Sequence, residues 1–175
     1  MEAAVRKIPK VARPAVAKAP GAKPIAVARH TPGIESFSGA YLASPIERVE
    51  AIRRGLPASV IVQTGEAMNL PREQIYTILH LPRATVSRKI SSKAVLSPEM
   101  SERLLGLRKL IGQVEVMVRE SGRPDDFVAA HWVAQWLTEP AAALGGRKPR
   151  DFMDTAEGQE IVSSLIARMQ SGAYA

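Results

Sequence analysis

Between Arg83 and Lys93 the chain sets four basic residues, Arg83, Arg88, Lys89 and Lys93, and no acid. Thr85, Arg88 and Lys89 stand three and four residues apart, so a helix brings them to one face, flanked by Arg83 and Ser87. Val86 and Ile90, four apart, then turn to the opposite, buried side. The chemistry open to such a face is recognition of a polyanion. A guanidinium pairs bidentately with guanine, hydroxyls reach phosphate or base edges, and lysines contact phosphate. The plainer reading of the same residues is a solvated cationic surface.

Other chemistries lack their parts. With no cysteine there is no disulfide, thiolate metal site or thiol nucleophile. His30, His80 and His131 have no metal-ligand spacing and lie far from any nucleophile in sequence. Asp125-Asp126 reads as a helix start, where carboxylates complement the macrodipole. Leu144-Gly145-Gly146 is too short for a phosphate-binding glycine loop. The expectation is a binding protein rather than an enzyme, with no cofactor, no metal and no small-molecule substrate.

The elements that must position the basic face are helices. Pro71 opens one over 72–79, and Arg83 begins the next, over 83–90. Three residues, His80-Leu81-Pro82, join them, which gives helix-turn-helix dimensions with the second helix as the reading element. Such turns favour glycine where the backbone is left-handed, and here His80 holds that place. One short helix makes too few contacts for specific binding, so a two-fold homodimer on a palindrome is required.

Around this pair the signals stay helical. Ser44-Pro45 starts a helix that Gly55 stops after Arg54, and Pro57 starts another through Met68. Ser97-Pro98 caps the longest helix, ending at Gly122, with Met100, Leu104, Leu107, Ile111, Val114 and Val118 alternating by threes and fours. That seam suits packing on the domain better than pairing with a second copy, being short for an isolated coiled coil. Asp125 is expected to cap a helix whose Ala129, Trp132, Val133 and Trp136 share a face. Asp154, with Glu157 three residues on, predicts a capping box for a last helix carrying Ile161, Val162, Leu165, Ile166 and Met169. No strand pattern emerges, so the fold class is all-α: a helix-turn-helix-like bundle, then a small helical C-terminal domain.

Charge separates a third part. The chain carries a formal +7, yet residues 1–30 hold seven basics against Glu2 alone, while residues 31–175 hold 17 basics against 16 acids. The five prolines before residue 33 deny that stretch a stable helix. The division read from this is a disordered basic tail over 1–35, a helix-turn-helix domain over 36–122 and a C-terminal domain over 123–175. No apolar run is long enough to span a membrane, and the lack of cysteine suits a reducing cytoplasm.

The C-terminal pieces occur in a telling order: Trp136-Leu137, Pro140, Leu144-Gly145-Gly146, Pro149, Asp154-Thr155-Ala156-Glu157-Gly158, Val162, Leu165 and Gly172-Ala173-Tyr174-Ala175. With Arg83-Ala84-Thr85-Val86-Ser87-Arg88-Lys89 and Leu96-Ser97-Pro98-Glu99 upstream, this set resembles the Xre/MbcA/ParS group of bacterial antitoxins over roughly residues 40–175. The resemblance implies a cytoplasmic type II antitoxin with a RES-domain toxin, which consumes NAD or uses it for ADP-ribosylation. It implies that the C-terminal domain covers the toxin's cleft and that the helix-turn-helix binds operator double-stranded DNA and represses the operon, in a homodimer and larger complexes with toxin. Arg168, Met169, Gly172, Tyr174 and Ala175 are then the expected toxin contacts. Trp132 and Trp136 are expected as scaffold, and Leu144, Gly145 and Gly146 as the turn that folds the last helix back. The alternative is a stand-alone basic helix-turn-helix regulator whose C-terminal domain only dimerises.

Overall fold

The computed structural model describes residues 33–122 and 126–170. Within them the chain forms α1 (Phe37–Leu42), α2 (Pro45–Arg54), α3 (Ser59–Ala67), α4 (Arg72–Ile78), α5 (Arg83–Ser91), α6 (Pro98–Glu120), α7 (Ala129–Trp136) and α8 (Ala156–Gln170). Two 3-10 turns, Ala142–Leu144 and Pro149–Phe152, connect α7 to α8. The described residues contain no strand, only an isolated bridge between Pro57 and Val95. None of their helices is long and apolar enough to cross a membrane.

Local chemistry sets most boundaries. The Ser44 hydroxyl accepts from the Glu47 N–H at 3.2 Å and the Glu47 carboxylate accepts from the Ser44 N–H at 2.7 Å, a reciprocal cap that fixes the start of α2. Gly55, at φ +80°, ends it, and a side chain there would meet the Leu96 carbonyl 2.5 Å away. Ser97 caps α6 with a single bond, its hydroxyl accepting from the Met100 N–H at 3.4 Å.

The last two helices start elsewhere than their sequence suggests. Helix α7 begins at Ala129, with Val128 before it and no side-chain cap, while Asp125 lies outside the described residues. For α8 the cap is Thr155, whose hydroxyl accepts from the Gly158 N–H at 3.1 Å. Asp154 is thereby released for a different contact. Ile161, expected on the inner face of α8, is exposed, whereas Val162, Leu165 and Ile166 are buried.

Helix α6 is the central post. Its Leu104, Leu107, Ile111 and Val114 are buried, so the apolar seam is spent on packing within the chain. Helices α1, α2, α7 and α8 all lie against it. One hydrophobic cluster takes Ile61, Ile75, Leu79 and Val86 from the first half together with Val133, Leu137, Val162 and Ile166 from the second. Full burial of each such side chain contributes about 1.5–3 kcal/mol.

Helix α1 has no counterpart in the sequence reading. It crosses α6 so closely that a Cβ on Gly112 would collide with the Phe37 carbonyl. Arg108, 5% exposed, ties it down: its guanidinium lies 4.5 Å from the Phe37 ring centroid and donates to the Glu35 carbonyl and, at 2.9 Å, to the Thr64 hydroxyl. Burial pulls the Arg108 pKa below its ordinary value, and the hydrogen bonds satisfy the charge that burial would otherwise strand.

Candidate functional site

Helices α4 and α5 meet over a turn made rigid from three sides. Leu79 and Leu81 are buried on either side of His80. His80 itself takes φ +47°, the left-handed conformation expected of a glycine here. The Arg103 guanidinium donates to the carbonyls of Leu79 (3.4 Å) and His80 (3.0 Å). The His80 Nδ1 stands 3.4 Å from the carboxylate of Asp154, just before α8. The turn geometry is therefore present without glycine, because neighbours hold the histidine in place.

Val86 is fully buried under α5, which turns the basic residues outward as their spacing predicts. Their surroundings then divide them. Arg83 is exposed but lies 3.7 Å from the carboxylate of Glu73 on α4, which also pairs with Arg72 at 3.2 Å. A backbone hydrogen bond first, and the arginines after it, hold the Glu73 carboxyl below its ordinary value. Lys89 is half-buried and donates to the Val95 carbonyl at 2.9 Å, closing the loop after α5. Thr85 and Ser87 are half-buried on the flank. Arg88 and Lys93 are exposed and make no ion pair among the described residues. The cations open to a ligand are thus fewer than the sequence displays, with Arg88 alone on the helix itself.

The second region centres on α7. Trp132 and Trp136 stack with ring centroids 5.6 Å apart and planes 10° off parallel, half-buried on the core. An apolar groove of about 350 Å³ runs between Trp136, Pro140, Ala141, Leu165 and Met169. Another, of about 380 Å³, lies on the other side among Val114, Met117, Phe127, Trp132, Ile166 and Met169. Met169, 42% exposed, forms the ridge between them.

Leu144 is buried below the turn, and Gly145 (φ +64°) and Gly146 (φ +80°) reverse the chain with their backbone in the left-handed region. The Arg147 guanidinium then covers the Phe152 ring at 4.6 Å. Arg168 is exposed near the end of α8 and its Nε donates to the Ser164 carbonyl at 3.4 Å. Gly172, Tyr174 and Ala175 lie outside the described residues. Reasoning from sequence did not find the role of His80 and Asp154 in joining the turn to α8. Two acceptors in succession, Asp154 and Thr155, could have signalled that only one was needed as a cap.

Comparison with known proteins adds to this geometry. Residues 47–109 match the family described as the antitoxin Xre-like helix-turn-helix domain. Residues 127–172 match the antitoxin Xre/MbcA/ParS C-terminal toxin-binding domain. A protein of Sphingobium sp. (strain YBL2), named Prs ADP-ribosylating antitoxin, is 44% identical over 140 residues, covering 80% of this chain and 88% of its own. The Antitoxin Xre of Yersinia enterocolitica serotype O:8 / biotype 1B (strain NCTC 13174 / 8081) is 24% identical over 127 residues, covering 72% of this chain and 80% of its own.

Proposed function

Because the chain belongs to the Xre/MbcA/ParS antitoxin family and carries both the helix-turn-helix and the toxin-binding domain, we propose that it neutralises a RES-domain, NAD-consuming toxin in the bacterial cytoplasm and represses its own operon. The carrying observation is the ridge of Met169 between two apolar grooves beside the stacked tryptophans, at the end of α8 where the chain runs on to residues 171–175. An exposed apolar ridge flanked by grooves is the form of an interface centre, where aromatic and methionine side chains are enriched. Gly172, Tyr174 and Ala175 bind in the toxin's cleft, and Arg168 contacts its rim. The relative's name couples antitoxin with ADP-ribosylation, which favours ADP-ribose transfer as the reaction of the toxin opposed. Operator double-stranded DNA is bound through α5, with Arg88 reading a base and Thr85, Ser87, Arg83, Lys89 and Lys93 at phosphates.

The test separates toxin binding from folding. Deletion of 160–175 is unsuitable, since it removes the buried Val162, Leu165 and Ile166. Met169→Glu and removal of residues 171–175 spare the core. Each is expected to leave thermal unfolding in place while the co-expressed toxin from the neighbouring reading frame regains toxicity and no longer co-purifies. Full neutralisation by both variants would place inhibition elsewhere.

A further inference from the structure

Helix α5 has little hold of its own on the core. Val86 is its one buried residue, and it begins three residues after His80, so its pose is set largely at the turn before it. That turn needs holding, because the left-handed conformation of His80 is disfavoured for any residue with a side chain. The carbonyls of Leu79 and His80 lie just past the end of α4, where a helix leaves acceptors without partners. The Arg103 guanidinium answers both, and it makes no ion pair among the described residues, so its charge is spent on the turn. Arg103 is in turn tied to α8. The Gln159 side-chain amide donates to the Arg103 carbonyl at 3.1 Å and to the Met153 carbonyl at 2.8 Å. Gly106 makes room for it, since a Cβ there would collide with that amide. The same stretch reaches the turn directly through Asp154, beside His80.

We propose that Arg103 and Gln159 are positioning residues for DNA reading: through them α8 fixes the angle at which α5 is presented, and the C-terminal domain is a working part of operator recognition. This rests on the operator reading of α5 proposed above. Neither residue contacts DNA in this role; each acts through the turn. A tilt of α5 is tolerated by phosphate contacts, which long cationic side chains can follow along the backbone. It is not tolerated by a bidentate contact to one base edge, the role given to Arg88. A loosened turn therefore costs specific binding before it costs non-specific binding. Arg103→Lys keeps the charge but loses the planar fork that spans two carbonyls. His80→Gly removes the disfavoured side chain, so the turn holds its shape with less need of Arg103.

The experiment measures binding of the full-length chain to two duplexes of equal length, one from the start of its own operon and one scrambled, by fluorescence anisotropy. Arg103→Lys is expected to raise the dissociation constant for the operon duplex about tenfold, the equivalent of one charge-assisted hydrogen bond, with binding to the scrambled duplex unchanged. Gln159→Met, close in length and without a donor, is expected to move the ratio of the two constants in the same direction. A folding defect weakens both duplexes alike. In the His80→Gly background Arg103→Lys is expected to cost markedly less, a non-additivity that a merely structural arginine does not produce. A wild type that binds both duplexes equally overturns the operator reading and this proposal with it. A wild-type preference that either variant keeps, or an undiminished loss in the His80→Gly background, overturns the positioning role alone.

Discussion

Single side chains here take their meaning from neighbours on other elements. Thr85, Ser87 and Lys89 are half-buried and Arg83 lies near Glu73, whereas the Arg88 side chain is exposed on the helix with no ion pair among the described residues, as is Lys93 just after it. Arg88→Ala is therefore expected to lose about 1–3 kcal/mol of operator affinity and to relax discrimination at one base pair. A salt-titrated binding assay on operator and mutated operator checks this, and a uniform loss across sequences would make Arg88 a phosphate contact. Tyr76 presents the reverse case, a buried hydroxyl with no hydrogen-bond partner among the described residues. Tyr76→Phe removes that unmet polar group, so the melting temperature is expected to hold or to rise, by up to about 1 kcal/mol in stability. The sequence showed the basic run plainly. It could not show that Glu73 reaches Arg83 from α4 or that Lys89 is turned to the Val95 carbonyl, because such contacts depend on how helices are placed.

At the scale of elements, starts were the most legible feature. Ser44-Pro45, Pro71 and Ser97-Pro98 all precede helices, since a hydroxyl cap or a proline at the first turn answers N–H groups that have no partner within the helix. Helix α1 was hidden: six residues, FSGAYL, are too few to display a period, and its hold lies in Arg108 and Gly112, more than 65 positions away. The Asp154 start was misplaced for a local reason, because Thr155 is an equally good cap one residue on. The capping box of α2 also makes a pH prediction. Hydrogen bonds from the Ser44 backbone and hydroxyl hold the Glu47 carboxyl below its ordinary 4.5. A carboxyl depressed by folding lends stability above its unfolded value and loses it as pH falls through the folded one. Glu47→Gln is thus expected to lower the melting temperature at pH 7, with the gap to the wild type closing as acid takes the pH below the ordinary carboxylate range. Parallel melting curves down to acid pH would refute the assignment.

For the whole molecule, the two family domains share a single core. Leu104, Leu107 and Ile111 of α6 belong to the same cluster as Val133, Leu137, Val162 and Ile166. A chain ended at residue 122 leaves that face of α6 bare, so it is expected to lose cooperative unfolding and to bind hydrophobic dyes. A sharp two-state transition in the truncated chain would show that the first segment is self-sufficient. The all-α class and the order of segments could be read from periodicity, but the shared core could not, because a helix pattern marks a buried face without naming its partner.

His80 and Asp154 give this shared core a consequence for descent. The turn between α4 and α5 leans on Asp154, two residues before α8. Under the proposed function, a lineage that remodels the start of α8 to follow a changing toxin disturbs the turn that aims α5. The same proposal channels divergence away from that junction, to Met169 and the outer rims of the tryptophan grooves, where a change of partner leaves the turn untouched.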